Sequence, residues 1–301
     1  MSSFADPRFL LQPVADGLGP FPHGDYLGTV WKHTADETEE LWIVCDDLGL
    51  VPFTMHGRTV RFVGDGDLVD YRSPLGEGTA DLISSAVGSL AKGTRILIDS
   101  LPRAASLVVA KGLEAAGLHP AVDEHAVAAV LQLPGTFEDY LASIGKKERH
   151  ETRRKRRRYE SAVGEARFVH ESTGGRRFDE FIALHRQSAG DKAEFMTEGM
   201  EAYFRDLVQL DGWGIDALVD EDDTMVAGGF AFQDRDGYFL YNSAFDPSRS
   251  EVSPGVVLIS SLIELAIERG LSVFDFLKGD ENYKFRMGAE PRPLYLVAAE
   301  T

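Results

Sequence analysis

Among its 301 residues the chain has a single cysteine, Cys45. No internal disulfide can form, and no cysteine-based metal site is available. Cys45 lies in LWIVCDD, an apolar run that predicts a buried strand and a packed, inert thiol. No stretch of about 18 apolar residues occurs, so no membrane-spanning helix is expected. The opening MSSFADPRFLLQPVADG lacks the basic segment and long apolar stretch of a secretory signal, and a cytoplasmic setting is the expectation. There is no C-x-x-C, no H-E-x-x-H, no P-loop lysine and no G-x-G-x-x-G after a strand. His33, His56, His119, His125, His150, His170 and His185 are scattered, and no metal site is expected. DRDG at 234–237 resembles the start of a calcium loop, but no Glu closes it at the required distance; a hairpin turn is the better reading.

Positive charge is scarce as well. Lys and Arg number 31 against 49 Asp and Glu, for a net charge of −18. Such a chain is kept soluble by its charge and opposes general coating by nucleic acid. The exception is KKERHETRRKRRR at 146–158, with nine Lys or Arg against two Glu. It contains no apolar residue, so as a helix it is expected to bury no face. At helical spacing Lys146, Arg149, Arg153, Arg156 and Arg157 share one side, with Lys147, Arg154 and Arg158 on the flank. One reading is a solvated helix paired with the acidic remainder, each surface pair being worth about 0–1 kcal/mol. The other is an anion site formed by Lys146, Lys147, Arg149, Arg153, Arg154 and Arg157.

A length of 301 residues suits two domains of roughly 100–200 residues each, or one large one. Residues 39–63 alternate like strands. They are followed by a helix in TADLISSAVGSLAKG, a strand in TRILIDSLP, a helix in AASLVVAKGLEAAG and a strand in AVAAVLQLPG, which together form an α/β unit. Pro134-Gly135 is the best boundary, giving residues 1–134 and 135–301. In the second part Thr136 caps a short helix ahead of the basic one. A strand and two helices follow, and then the clearest local signal, a meander of GIDALV, MVAGGFAFQ and GYFLYNSAF. SPGVVLISSLIELAIERG is a strongly amphipathic helix, with Ser253 as its expected N-cap and Pro254 at its first position. Amides at such a helix start favour an anion in front of them. The strand LSVFDFLKG and a short helix or turn, DENYKFRMGAE, lead to the last strand, PRPLYLVAAE.

The order of these elements resembles the GNAT acyltransferase fold. The wording of YNSAFDPSRSEVSPGVVLISSLIELAIERGLSVFDFLKGDENYKFRMGAEPRPLYL is similar to the CelD-like, Fem-like acetyltransferase group. That group carries D-x-L-x-G-x-x-x-Y-K-x-R-x-G, here Asp275, Leu277, Gly279, Tyr283, Lys284, Arg286 and Gly288. LPGTFEDYLASIGKKERHETRRKRRRYE matches the group's Leu-Pro, amphipathic helix and basic run. The resemblance spans roughly residues 40 to 300. It implies an α/β (α+β) fold of tandem GNAT-like halves, a mixed sheet flanked by helices, with the first half degenerate.

For function the resemblance implies acyl transfer to an amine by direct attack, with no covalent enzyme adduct and no tightly bound cofactor. Tyr241, Asn242 and Ser243 would line a splayed strand, and Ser253, Gly255 and Val256 would meet the donor phosphates. Tyr283 would be the acid, with Asp275 and Lys284 on the acceptor side. Phe195, Met196 and Arg286 would shape the pocket for a small-molecule or peptide amine. Acetyl-CoA enzymes carry an Arg/Gln-x-x-Gly-x-Gly/Ala loop before the donor-side helix; SRSEVSPGVV supplies one glycine where two are expected. Fem-type relatives use aminoacyl-tRNA and do not need that cradle. Three readings therefore stand. The first is an N-acyltransferase using acyl-CoA. The second is an aminoacyl-tRNA-dependent transferase that holds tRNA on the basic helix. The third is a binding protein that keeps the fold without turnover.

Overall fold

The computed structural model describes residues 3–64, 66–188 and 190–301. In chain order its helices and strands begin with α1 (Gly24–Thr34), β1 (Glu39–Cys45), β2 (Gly49–His56), β3 (Thr59–Phe62), β4 (Leu75–Gly76), α2 (Thr79–Gly88), β5 (Arg95–Leu101), α3 (Arg103–Ala115) and β6 (Ala121–Gln132). They continue with α4 (Phe137–Ser143), α5 (Lys146–Val163), β7 (Arg167–Glu171), α6 (Arg176–Arg186), α7 (Asp191–Phe195), α8 (Glu198–Leu207), β8 (Trp213–Val219), β9 (Met225–Gln233) and β10 (Gly237–Phe245). A 3-10 turn at Pro247–Val252 leads to α9 (Pro254–Glu268), β11 (Val273–Lys278), α10 (Asn282–Arg286) and β12 (Glu290–Glu300). Helix α1 has no counterpart in the sequence reading, although Tyr26, Leu27 and Val30 bury one of its faces.

The chain divides into two units, Met1–Ala128 with Arg292–Thr301, and Ala129–Pro291. The division falls within β6 rather than at Pro134-Gly135, and the end of the chain returns to the first unit. In the first unit β1, β2 and β3 form an antiparallel meander. β5 runs parallel to β3, and β12 runs antiparallel to β5. Strand β1 is half-buried along its length, and Cys45 with it, where a buried strand was expected. β1 ends the strand order and has a neighbour on one side only, so the core falls to Phe53 and Phe62 on β2 and β3.

In the second unit the strand order is β11-β10-β9-β8-β7, with the end of β6 beside β11. β7 to β10 are antiparallel, while β10 and β11 are parallel. The glycine pair in MVAGGFAFQ explains how helices press on both faces of this sheet. A Cβ at Gly228 would lie 3.3 Å from Phe181 of α6, and one at Gly229 would lie 2.8 Å from Leu262 of α9. Side chains at these two positions would crowd Phe181 and Leu262 and force them to shift. The DRDG segment is a turn in which Asp234 Oδ1 accepts from the Asp236 and Gly237 amides at 2.8 and 2.7 Å.

One buried charge pins α9 to the strands. The Asp216 carboxylate of β8 accepts from Arg269 at 3.0 Å and from the Tyr238 hydroxyl at 2.9 Å, and it lies 3.0 Å from His170 Nδ1. Burial raises its pKa, but His170 and Arg269 outweigh that and hold it below the ordinary carboxylate range. A depressed carboxylate contributes stability above its unfolded pKa of about 3.9, which is lost as pH falls through the lower folded value. Asp216→Asn is expected to cost roughly 2 kcal/mol at neutral pH. In urea titrations the wild-type advantage should shrink below about pH 4 and remain flat above it.

Candidate active site

A strand sends successive side chains to opposite faces, and β10 keeps that alternation only to Leu240. Tyr241 is then a bulge: Leu240 pairs with Ala231 and Asn242 with Phe230 of β9, leaving Tyr241 as the extra residue. The parallel pairing of β10 with β11 stops at the same level. Its register runs from Gly237↔Val273 to Phe239↔Asp275, although β10 continues to Phe245 and β11 to Lys278. Past that point the two strands no longer pair with each other, and on the β11 side the Leu277 amide and the Leu277 and Lys278 carbonyls are taken by the Asp275 and Lys284 side chains.

A cavity of about 490 Å³ lies in this unit. Its walls come from β10 (Ser243, Phe245), the start of α9 (Ser253, Gly255), α5 (Lys155) and α10 (Tyr283). Tyr283 is 44% exposed. The protein around its phenol and the nearby Glu281 carboxylate push its pKa up to about 12. The hydroxyl is therefore protonated at neutral pH and can donate.

Neither Asp275 nor Lys284 lines the cavity, and Lys284 meets the wall through Glu281. Asp275 is fully buried, and its Oδ1 accepts from the Leu277 amide at 2.8 Å. That bond holds Leu277 in the left-handed region, at φ 61°. Lys284 is buried, and its Nζ donates to the Lys278 carbonyl at 2.8 Å and pairs with Glu281 at 2.9 Å. Gly279, at φ 124°, leaves the space that this ammonium and the Glu281 carboxylate fill. The D-x-L-x-G-x-x-x-Y-K spacing thus sets the end of β11 and the approach to Tyr283. Arg286 is exposed on α10.

The start of α9 differs from the sequence expectation. Ser253 has φ 55° and makes no side-chain cap. Its amide donates to Ser250 O, and its own carbonyl accepts from Val256 and Val257. Pro254 has no N–H. Among the described residues only Gly255 keeps a first-turn amide without a backbone acceptor.

Helix α5 also corrects an expectation, because it does bury a face. Thr152 and Tyr159 are buried, while Lys155 and Arg156 are half-buried. Arg156 pairs with Glu264 of α9 and lies over the Phe137 ring at 4.7 Å. Long stems supply the contact that apolar residues usually provide. Arg149 is half-buried and donates to the Leu141 and Ala142 carbonyls at the end of α4. Lys146, Lys147, Arg153, Arg154 and Arg157 are exposed, together with His150 and Arg158. Within that group Arg153 pairs with Glu138 and Arg154 with Glu151.

Tyr241 and Asn242 do not line the cavity with Ser243. The bulge turns both toward α6 and α8, with Tyr241 Oη 3.0 Å from Tyr203 Oη and Asn242 Oδ1 3.1 Å from His185 Nε2. Phe195 joins that cluster through His185 and Phe204, and Met196 is buried beside it in the chain. The neighbouring side chains of Asp191 and Lys192, in the GDKAEFMTEGMEAYF segment, lie outside the described residues. Sequence reasoning missed Lys155 and Glu281 as wall residues. The spacing of Thr152, Lys155 and Tyr159 was the available signal, because three- and four-residue steps mark one helix face.

Among the described residues no group of three or more His, Cys, Asp or Glu is placed to hold a metal, and no helix is long and apolar enough to cross a membrane. The family profile described as acetyltransferase (GNAT) domain matches residues 146–285. No curated protein matches the chain by sequence. Among solved structures, L-PGS from Bacillus licheniformis superposes with a TM-score of 0.63 at 15% identity, over 99% of this chain and 92% of that one. FemX does so with 0.60 at 11%, over 96% and 93%. The C-terminal domain of a putative lysylphosphatidylglycerol synthetase from Agrobacterium fabrum does so with 0.58 at 11%, over 91% of each. At such identities the likeness is one of fold.

Because Lys284 satisfies carbonyl and carboxylate groups at the end of β11, Lys284→Met is expected to lower stability by about 2–3 kcal/mol. A guanidinium midpoint that stays at the wild-type value would show that the ammonium is not holding this segment.

Proposed function

We propose, from the match of residues 146–285 to the acetyltransferase (GNAT) domain profile and from the fold the chain shares with FemX, that it transfers an acyl group from a thioester donor, acyl-CoA, to an amine. The observation that carries this reading is the early end of the β10–β11 pairing beside a cavity walled by Tyr283. The donor's acyl arm lies along β10 beyond the end of its pairing with β11, and a β10 amide there holds the carbonyl oxygen. The amine attacks that carbonyl directly, so a C–N bond forms and the tetrahedral oxyanion is stabilised by groups already in place. As it collapses the C–S bond breaks. Tyr283 donates a hydrogen bond to the departing sulfur, and the amine's proton leaves to solvent. The cluster around Tyr241, Asn242, Phe195 and Met196 is assigned to the acceptor side, with a small-molecule or peptide amine as its guest.

One observation favours an aminoacyl-tRNA donor as the second reading. The start of α9 offers one open amide, which is little for a pyrophosphate. The exposed face of α5 would then meet the phosphates of the tRNA.

A donor-swap assay separates the two readings: turnover with acyl-CoA supports the first, turnover with aminoacyl-tRNA supports the second, and none with either points to a protein that binds without catalysis. With the working donor, Tyr283→Phe is expected to lower kcat by about 10²-fold with little change in KM; unchanged kcat would remove Tyr283 from the chemistry. Under the second reading, joint replacement of Arg153, Arg154 and Arg157 by Glu should abolish tRNA binding and flatten its salt dependence. Equal binding by that variant would leave α5 as a charge-paired surface.

A further inference from the structure

Under the proposed function the cavity walled by Tyr283 is the acyl-donor site, and the role of its lining charges rests on that reading. The lining includes one anion and, among the described residues, one cation: Glu281 and Lys155. Glu281 is neutralised from behind by the buried Lys284 ammonium at 2.9 Å. Lys155 is in a different position. Its nearest carboxylate, Glu151, is 3.6 Å away, and Arg154 already holds that carboxylate with two hydrogen bonds of 3.0 and 2.7 Å. The Lys155 side chain is only 23% exposed, on the edge of α5 between the face turned to α9 and the open cavity. A cation kept mostly out of water, loosely paired and flanked by Arg154 and Arg156, gains from an arriving anion.

The backbone offers that anion a single open amide, that of Gly255, because Pro254 has no N–H and the Ser253, Val256 and Val257 amides are spent within the protein. One amide leaves most of a phosphate's charge unmet, and Lys155 is the lining cation placed to meet it. We propose that Lys155 binds a phosphate of the donor and makes the cavity selective for donors that carry phosphate next to the acyl arm. The pyrophosphate of CoA and the terminal phosphodiester of an aminoacylated RNA share that chemistry. A pantetheine thioester, which has the arm without the phosphate, lacks it.

The test is equilibrium binding by calorimetry to the full chain and to its Lys155→Glu, Lys155→Gln and Lys155→Arg variants. The probes are CoA, pantetheine and an RNA hairpin with a tRNA acceptor end. Whichever phosphate-bearing probe binds the wild-type chain is expected to bind Lys155→Glu at least about tenfold more weakly, with a salt slope smaller by about one. Lys155→Arg should restore affinity, and pantetheine should bind all four chains alike. CoA as the sole phosphate probe bound would identify the pyrophosphate as the partner, and the hairpin alone would identify the phosphodiester. A phosphate probe indifferent to Lys155→Glu overturns the inference, as does pantetheine weakened in parallel, which would mean a distorted cavity. Lys155→Gln, compared at matched thermal stability, gives the same decision if the Glu variant does not fold. Failure of both CoA and the hairpin to bind the wild-type chain would overturn the donor assignment of the cavity, and this inference with it.

Discussion

The parallel pairing of β10 and β11 lasts for three residues, and the site depends on its ending there. Unpaired backbone inside a protein is costly unless something holds it. On the β11 side the Asp275 carboxylate secures the Leu277 amide, and the Lys284 ammonium secures the Lys278 carbonyl. On the β10 side the Tyr241 bulge absorbs the change of direction. Asp275 and Lys284, which the family resemblance puts on the acceptor side, thus have a prior duty to the geometry. Tyr283 follows from the same construction, since it sits on the short helix that Lys284 anchors.

The basic helix shows how charge can stand in for apolar surface. KKERHETRRKRRR docks on α9 although it lacks Leu, Ile, Val and Phe. Arg and Lys stems cover the contact, with Glu264 and the Phe137 ring as partners and Thr152 and Tyr159 as the buried points. The docking sorts the cations into three groups. Arg149 and Arg156 are committed to the fold. Lys155 is committed to the cavity. Lys146, Lys147, Arg153, Arg154, Arg157 and Arg158 remain on the open face.

Much of the second unit was legible in the sequence, and for local reasons. The meander, α9 and β11 follow from periodicity and turn residues within windows of about ten residues. The poverty of amides at the start of α9 was already written in SPG, because Pro254 has no N–H and one glycine replaces two. Helix α1 was missed because His23 and Gly24 offer no side-chain cap to mark its beginning. β1 read as buried because apolar content does not reveal whether a strand has one neighbour or two.

By itself the sequence determined the element order, the bulk acidity with its one basic run, and the motif that shapes the end of β11. Each of these is set by backbone geometry and composition within a few residues. Only the tertiary structure decided which face of α5 turns inward, that Lys155 reaches the cavity while its neighbours do not, and that Tyr241 and Asn242 leave Ser243 for the opposite face of the sheet. Those outcomes depend on partners far away in the chain, such as the Arg156–Glu264 pair across 108 residues and the His185–Asn242 bond across 57. No local periodicity carries information about such partners.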